Sequence, residues 1–212
     1  MSALPRIFYE GGSWLVWTAG EVEELKKNAK VMGEASMTSP WYNHQNKYLG
    51  LPFEFSEYEV LWCAQNNLCR LVKPIFKEKI VPIENSAYKF DTIIQAHKED
   101  EFDEEDAEFP TPPLFKYQVF CDLKKYGYTI GDGSHYTCDF AVYKNDAWNS
   151  HSSALVWCQE NDFDTRNLIS WVRIADGAKK YGIVAINADN KIKYIKFNRY
   201  LQRFPSDQKE DT

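Results

Sequence analysis

Three side chains in the last third of the chain carry the functional groups that could cleave RNA without a metal ion. A phenol, Tyr143, ends the strand-like run 138–143, and an imidazole, His151, lies in the polar loop that follows. An ammonium, Lys180, directly precedes the apolar run 181–186. Attack by a ribose 2′-OH on the adjacent phosphate needs a base, an acid for the departing 5′ oxygen and a cation near the phosphate. The nucleophile belongs to the substrate, so the reaction needs alignment more than it needs a metal.

The chemistry of each group suggests its part in such a reaction. His151 suits acid or base work because the ordinary pKa of an imidazole lies near neutral pH. Lys180 suits stabilisation of charge on the phosphate. Tyr143 has an ordinary pKa of about 10, so it either has that pKa lowered by a neighbouring lysine or mainly orients the 2′-OH. Each residue also fits a purely structural role: Tyr143 as packing at a strand end, His151 as a solvated loop residue, and Lys180 as a charge at a helix C-terminus.

The segments around these residues predict one α/β module over residues 114–204. Asp164 is a helix cap, and Gly127 ends the helix before it. The predicted order is a helix over 114–126, strands from 128 and over 138–144, a buried strand over 154–158, a helix over 166–178, and paired strands over 181–187 and 191–197. In the first helix we expect an inward face of Leu114, Tyr117, Val119, Phe120 and Leu123 and an outward face of Lys116, Lys124 and Lys125. In the second helix we expect Leu168, Ile169, Val172 and Ala175 on the inward face.

Residues 1–96 predict a separate N-terminal α/β domain. Its pattern indicates strands over 8–18 with a turn at Gly11 and Gly12, a polar helix over 21–31 near the cap Thr18, a second helix over 57–67 capped by Ser56, and a short strand at 71–72. Residues 97–113 carry eight acidic residues and one lysine and close with a proline cluster, which favours an extended linker. Residues 205–212 read as a flexible tail. The fold class is therefore α/β (α+β), in two small domains.

Composition limits the class of protein and its partners. The net charge of −6 hides a basic segment, because residues 165–203 hold nine Lys or Arg against two Asp. Such a surface attracts a polyanion, although a solvated helix face with a charged strand edge would give the same count. The five cysteines are widely spaced without a C-x-x-C pair, which argues against a disulfide framework or a zinc site. No apolar run approaches the roughly 20 residues of a membrane span, so we expect an intracellular protein.

Several motifs together resemble the tRNA-splicing endonuclease family. The run Asp139-Phe-Ala-Val-Tyr143, the downstream His151, and Arg173-Ile-Ala-Asp-Gly-Ala-Lys-Lys180 before an apolar strand are similar to the nuclease domain of that family. In the N-terminal half, Trp14-Leu-Val-Trp17 and Asn46-Lys-Tyr-Leu-Gly-Leu-Pro52 resemble the Sen thirty-four type of subunit, the catalytic subunit that cuts the 3′ splice site. The resemblance covers most of residues 8–204, with all segments in the same order.

The resemblance implies a reaction, a site and an assembly. Tyr143 would be the general base or the group that positions the 2′-OH, His151 the general acid and Lys180 the transition-state stabiliser, giving 2′,3′-cyclic phosphate and 5′-OH ends. Arg173 and Tyr200 would bind RNA by stacking on a splayed base. No metal or cofactor is implied. The partners would be precursor tRNA, a small non-catalytic subunit and a second catalytic and structural pair in a heterotetramer. The compartment would be the nucleus, with the cytoplasm or an organelle surface as alternatives.

Other interpretations remain open. The loop 131–138 differs from the Lys-Phe-Gly-like run usual in the family, and its His135 is interpreted as a bystander. The chain could be a non-catalytic scaffold or tRNA-binding subunit of the same complex, or an RNA-binding module without chemistry. The helix and strand order of the C-terminal domain also resembles restriction-endonuclease-like folds, a mixed sheet with flanking helices. Such nucleases hold Mg²⁺ with an Asp and a Glu-x-Lys, for which Asp139 is available but the next strand offers no Glu-x-Lys.

Overall fold

The described part of the chain contains two β-sheets, each packed against helices, in a computed structural model. The described residues are 3–36, 51–75, 79–83, 112–144, 147, 150–160, 164–188 and 191–198. Residues 97–111 of the acidic linker predicted over 97–113, the tail over 205–212 and Tyr200 lie outside them. No helix within these ranges is long and apolar enough to cross a membrane.

The first sheet belongs to the N-terminal half of the chain. Its strands run in the order β3-β4-β2-β1-β5-β6. Strands β1 and β2 form a hairpin around Gly11 and Gly12, both of which have positive φ values that suit a two-residue turn. The elements of this half are β1 Arg6–Glu10, β2 Ser13–Val16, α1 Ala19–Ala29, β3 Glu34–Ala35, β4 Phe53–Phe55, α2 Glu57–Gln65, β5 Arg70–Ile75 and β6 Lys79–Ile83.

The second sheet belongs to the C-terminal half and has the strand order β11-β10-β9-β8-β7. Only β9 and β10 are parallel, so the sheet is mixed, as the sequence predicts. A parallel pair needs a crossover connection, which helix α4 provides. The elements are α3 Leu114–Lys125, β7 Thr129–Asp132, a short 3-10 helix Ser134–Tyr136, β8 Phe140–Tyr143, β9 Ala154–Gln159, α4 Thr165–Gly177, β10 Tyr181–Ala188 and β11 Lys191–Phe197.

The strands of the second sheet divide their side chains between two cores, because successive residues of a strand point to opposite faces. One face packs against α3 through Phe140, Val156 and Phe120. The other face packs against α4, where Trp157 and Trp171 stack with their ring centroids 5.5 Å apart. Tyr143 lies on this second face. The sheet therefore presents Tyr143 on the side that is covered by the helix leading to Lys180.

The predicted helix caps are confirmed, although α1 covers Ala19–Ala29 rather than 21–31 and α2 ends at Gln65 rather than at 67. Thr18 accepts a hydrogen bond from the amide of Glu21 at the start of α1, and Asp164 accepts one from the amide of Arg166 at the start of α4. Ser56 and Glu59 form a reciprocal capping box at the start of α2. These caps satisfy backbone donors that the first turn of a helix leaves without partners.

The predicted inward and outward faces are wrong at three positions. Leu114 is 50% exposed and Ile169 is 56% exposed, although both were expected to face inward. Leu114 is the first residue of α3, and in α4 the buried positions belong to Trp171 and Ala175. Lys124 was expected to face outward but is only 7% exposed, because its ammonium donates to backbone carbonyls of the N-terminal half. That contact joins residues far apart in the sequence, so helical periodicity cannot predict it.

Candidate active site

The register of the second sheet brings the ends of three strands together at Ser153. Strand β8 pairs Val142 with Ala154, and β9 pairs the same Ala154 with Tyr181. The Ser153 amide donates to the Val142 carbonyl at 2.8 Å, and the Tyr181 amide donates to the Ser153 carbonyl at 3.1 Å. The candidate residues therefore gather at one edge: Tyr143 follows Val142, His151 precedes β9, and Lys180 precedes Tyr181.

Lys180 is fixed to this edge through both its backbone and its side chain. Helix α4 ends at Gly177 with Ala178 as its C-cap; Lys179 then lies in the left-handed region at φ 55°, and the amide of Lys180 donates back to the Ala175 carbonyl at 2.9 Å. This 6→1 hydrogen bond together with the Lys179 to Asp176 bond is a Schellman motif. The Lys180 ammonium then donates to the Ser152 carbonyl at 2.8 Å. The charged group is thus held beside the segment that carries His151.

The surroundings of Lys180 leave its charge available to a ligand. Partial burial lowers its pKa from the ordinary value, because desolvation disfavours the charged form. The ring of Tyr136 lies with its centroid 5.4 Å from the ammonium, within the range of a cation–π contact. A half-buried cation with one carbonyl partner retains donors for a phosphate oxygen.

Tyr143 is half-buried, and its pKa is raised above the ordinary value. Burial is the main cause, and the nearby Tyr136 and Glu34 add to it, while a hydrogen bond with Ser152 acts in the opposite direction. The alternative in which a neighbouring lysine lowers this pKa is therefore wrong. The phenol is neutral at neutral pH, a state that can both donate and accept hydrogen bonds.

His151 and Arg173 are exposed at this side of the sheet. His151 lies in the segment just before β9, one residue from Ser152, and its imidazole is open to solvent. Arg173 is on the exposed side of α4, two residues before the buried Ala175. The predicted stacking partner of Arg173, Tyr200, is outside the described residues, so their pairing stays a prediction.

A cleft of about 320 Å³ opens beside Lys180. Its walls come from the last turns of α4, from the segment after it, and from the residue that follows β11. The lining residues are Val172, Ala175, Asp176, Lys179, Lys180 and Asn198. A volume of this size, next to two lysines and one amide, is large enough for part of a nucleotide.

Asp139, the residue available for a metal-dependent reaction, has both carboxylate oxygens engaged elsewhere. One oxygen is 2.6 Å from the Lys116 ammonium of α3, and the other accepts from the Cys158 amide at 2.7 Å. Asp139 therefore links α3 to β9. Among the described residues, no group of three or more His, Cys, Asp or Glu side chains could hold a metal ion.

Two residues of this site, Tyr136 and Ser152, are not predicted from the sequence. Tyr136 ends the 3-10 helix of the loop that departs from the expected pattern, and Thr137 after it adopts a left-handed φ of 50°. The Trp157 indole donates to the Thr137 carbonyl at 2.9 Å and fixes the loop against the sheet. Ser152 is buried between His151 and β9. The position of Ser152 next to His151 is the only sequence feature that indicates a role for Ser152. The contact of Tyr136 with the Lys180 ammonium depends on how the loop folds.

Two family models match the chain in separate blocks. The model for the tRNA intron endonuclease, catalytic C-terminal domain, matches residues 114–194, which include Tyr143, His151, Arg173 and Lys180. The model for the TSEN34-like, N-terminal domain, matches residues 5–74. Between them the two matched blocks include every described strand and helix except β6, the last residue of β5 and the end of β11.

Curated relatives support the same assignment along the chain. The chain is 22% identical over 253 aligned residues to the probable tRNA-splicing endonuclease subunit sen34 of Schizosaccharomyces pombe, covering 88% of each protein. It is 31% identical over 90 residues to the tRNA-splicing endonuclease of Thermococcus kodakarensis and 33% identical over 84 residues to that of Thermococcus gammatolerans. These matches cover 39% and 38% of this chain and 53% and 49% of the archaeal proteins, so the aligned region spans about half of their length.

Proposed function

The chain belongs to the tRNA intron endonuclease family, and from that premise we propose that it is the Sen34-type subunit that cleaves precursor tRNA at the 3′ splice site. The observation that supports the proposal is the strand register around Ser153, which brings the chain positions of Tyr143, His151 and Lys180 to one edge of the sheet. A scaffold subunit has no need of a phenol, an imidazole and an ammonium at one edge, so the catalytic reading is favoured over the non-catalytic one.

The reaction is a transesterification within the RNA. The ribose 2′-OH attacks the adjacent phosphorus, a 2′-O–P bond forms, and the P–O5′ bond breaks. Tyr143 positions the 2′-OH and serves as its base in the small fraction of molecules with an ionised phenol. His151 gives its proton to the departing 5′ oxygen, which leaves as a hydroxyl, and the other fragment carries a 2′,3′-cyclic phosphate.

Lys180 stabilises the negative charge that develops on the non-bridging oxygens of the phosphate. Its hydrogen bond to the Ser152 carbonyl fixes the ammonium before substrate arrives, so little reorganisation is needed in the transition state. The three roles use only side chains of this chain and the 2′-OH of the substrate.

The surface around the site suits single-stranded RNA. Arg173 is exposed on α4, and the cleft next to it is lined by Lys179, Lys180 and Asn198. An arginine plane can stack on an unpaired base, and lysines contact the backbone phosphates. Arg173 is the proposed stacking residue, with Tyr200 as its proposed aromatic partner.

The assembly proposed for this subunit is a heterotetramer in the nucleus. It would contain a small non-catalytic subunit and a second catalytic and structural pair. Strand β11 is an edge of the second sheet, and an edge strand is free to pair with another chain. Within this subunit we propose an N-terminal domain that ends at residue 96 and a C-terminal domain that begins at residue 114, joined by the acidic linker.

The proposal is tested with the reconstituted complex and an intron-containing precursor tRNA in the presence of EDTA. We expect His151→Ala to abolish cleavage at the 3′ site and to leave cleavage at the 5′ site intact. His135→Ala is the matched control, because it removes an exposed histidine of the nearby loop that has no assigned role. Equal cleavage at both sites by the His151→Ala complex would contradict the proposal.

A further inference from the structure

A lysine of the C-terminal half caps a helix of the N-terminal half. The Lys124 ammonium donates to the carbonyls of Ala29 and Lys30, at 2.7 and 2.8 Å, at the C-terminal end of α1. Burial lowers the pKa of Lys124 to about 8, and the ring of Trp62 lies with its centroid 5.8 Å from the ammonium. The last carbonyls of a helix carry partial negative charge, so a cation there is stabilised. The contact ties the start of segment 29–34 to α3.

A buried carboxylate holds the middle of the same segment from the other side. One oxygen of Glu59 accepts from the amides of Met32 and Gly33 at 2.6 and 3.1 Å. The other oxygen accepts from the amide and the hydroxyl of Ser56, both at 3.0 Å. Four donors on one buried carboxylate leave the backbone of this segment little freedom to move.

The segment held in this way lies directly against the second sheet. Val31 forms a parallel bridge with Ile130 of β7. At the next residue of β7, a Cβ placed on Gly131 would be 2.7 Å from the Met32 sulfur and 3.2 Å from Cε2 of Tyr143. Both side chains thus cover the same glycine, and a thioether packs favourably beside an aromatic ring.

We infer that the N-terminal half forms part of the catalytic apparatus: segment 29–34, fixed by Glu59 and Lys124, holds Met32 as a positioning residue for the ring of Tyr143. The inference rests on the proposed function, because it gives Tyr143 its role in aligning the 2′-OH. Met32 touches no reacting atom. It acts by filling the space over Gly131 into which the Tyr143 ring would otherwise move.

A small displacement of the phenol is enough to matter for the reaction. In-line attack needs the nucleophile aligned, and a misplacement of about 1 Å can slow a reaction by about 100-fold. Tyr143 ends β8 and is only half-buried, so its own strand constrains its ring on one side. Glu34, in the same segment as Met32, is close enough to contribute to the raised pKa of Tyr143, which agrees with this proximity.

The test is a double-mutant cycle in the reconstituted complex, with single-turnover cleavage at the 3′ splice site as the readout. We expect Met32→Ala to lower the rate roughly 10-fold without changing the RNA concentration that gives half-maximal rate. In a Tyr143→Phe background the same substitution should change the rate by less than about twofold, because its effect passes through the Tyr143 hydroxyl. A purely structural role would lower both rates equally.

Leu68→Ala provides the matched control. Leu68 is a half-buried apolar residue that packs on the core of the first sheet, so its truncation has a similar cost in packing without touching Gly131. If Met32→Ala prevents assembly, Gly131→Ala asks the same question, because the added methyl group must displace either Met32 or Tyr143. We expect that variant to lose 3′ cleavage in the same Tyr143-dependent way.

The outcomes separate this inference from the proposed function. Wild-type rates for Met32→Ala and Gly131→Ala, with a strong defect for Tyr143→Phe, would overturn the inference alone. An equal loss from Met32→Ala in both backgrounds would also overturn it. Wild-type 3′ cleavage by Tyr143→Phe and His151→Ala would instead remove the proposed active site.

Discussion

Each half of the chain contains a buried or half-buried ionisable group that is hydrogen-bonded to the backbone, but the two groups differ in burial and in the number of their hydrogen-bond partners. In the N-terminal half, Glu59 is buried and both of its oxygens accept from backbone or hydroxyl donors. In the C-terminal half, Lys180 is half-buried and donates to a single carbonyl at the open edge of the sheet. A carboxylate with every oxygen engaged has no capacity left for a ligand, whereas a partly engaged ammonium does. Glu59 therefore stabilises the fold, and Lys180 is available for chemistry.

Lys124 and Lys180 differ from each other in the same way, in burial and in the number of hydrogen-bond partners. Both donate to backbone carbonyls at 2.7 to 2.8 Å, and desolvation lowers the pKa of both. Lys124 is almost fully buried and engages two carbonyls, whereas Lys180 borders a cleft. Burial and the number of partners, rather than residue type or pKa direction, distinguish the structural lysine from the candidate catalytic one.

The largest effect expected from this comparison is on catalysis. Lys180→Ala should lower the single-turnover rate of 3′ cleavage by roughly 100- to 1,000-fold, the usual cost of one lost donor to a transition-state charge. Its unfolding temperature should change little. Lys179→Ala is the neighbouring control and should lose less than about tenfold, because it keeps the backbone turn and removes only a side chain that lines the cleft. Equal defects for the two variants would show that the charge of the segment matters and not the position of Lys180.

The next largest effect is on stability and concerns Glu59. Glu59→Ala should lower the free energy of unfolding by about 2 to 4 kcal/mol, because it removes a capping box and leaves buried amides without an acceptor. Chemical denaturation of the purified chain measures this value. Glu57→Ala is the control in the first turn of the same helix and should cost less than about 1 kcal/mol. A small effect for Glu59→Ala would mean that the segment 29–34 is held by other contacts.

The pH dependence of 3′ cleavage gives a smaller, directional effect. In the proposed reaction Lys180 acts as the ammonium, and its pKa lies below the ordinary value because burial disfavours the charged form. The rate should therefore fall as the pH rises through that lowered pKa, and the loss should begin below the pH at which an exposed lysine would titrate. Lys180→Arg should move the residual alkaline limb to higher pH, since a guanidinium stays protonated. An alkaline limb at the same pH in both proteins would assign it to another group.

The smallest effect concerns the turn that delivers Lys180. Lys179 has a left-handed φ of 55°, a conformation that glycine adopts without strain. Lys179→Gly should raise the free energy of unfolding by about 0.5 to 1 kcal/mol while 3′ cleavage stays within a few-fold of wild type. Lys179→Val is the opposing variant, and it should destabilise because a β-branched residue strains this conformation. Unchanged stability in both variants would mean that the turn carries no strain.

Much of this architecture is local in origin and could be predicted from the sequence. The caps Thr18, Ser56 and Asp164 follow from side-chain chemistry next to apolar periodicity, and the mixed sheet follows from the alternation of strands and helices. The order of the C-terminal segments, read with the family motifs, was enough to select Tyr143, His151 and Lys180 as a set. The register around Ser153 brings their backbone positions to one edge of the sheet.

The remaining features depend on contacts between distant segments. Lys124 occupies a polar position in the helical pattern, and only the carbonyls of α1 explain its burial. Met32 and Tyr143 are far apart in sequence and approach each other through the Val31–Ile130 bridge. Tyr136 faces Lys180 because a 3-10 helix turns the loop back. Periodicity and capping rules contain no information on such pairings.

The most direct test of the proposed active site changes the leaving group of the reaction. A precursor tRNA with sulfur in place of the bridging 5′ oxygen at the 3′ splice site needs no proton donor, because a thiolate leaves readily without protonation. We predict that His151→Ala, inactive on the normal 3′ site, cleaves this substrate within about tenfold of the wild-type rate, whereas Lys180→Ala stays impaired. An equal defect of His151→Ala on both substrates would contradict its role as the general acid.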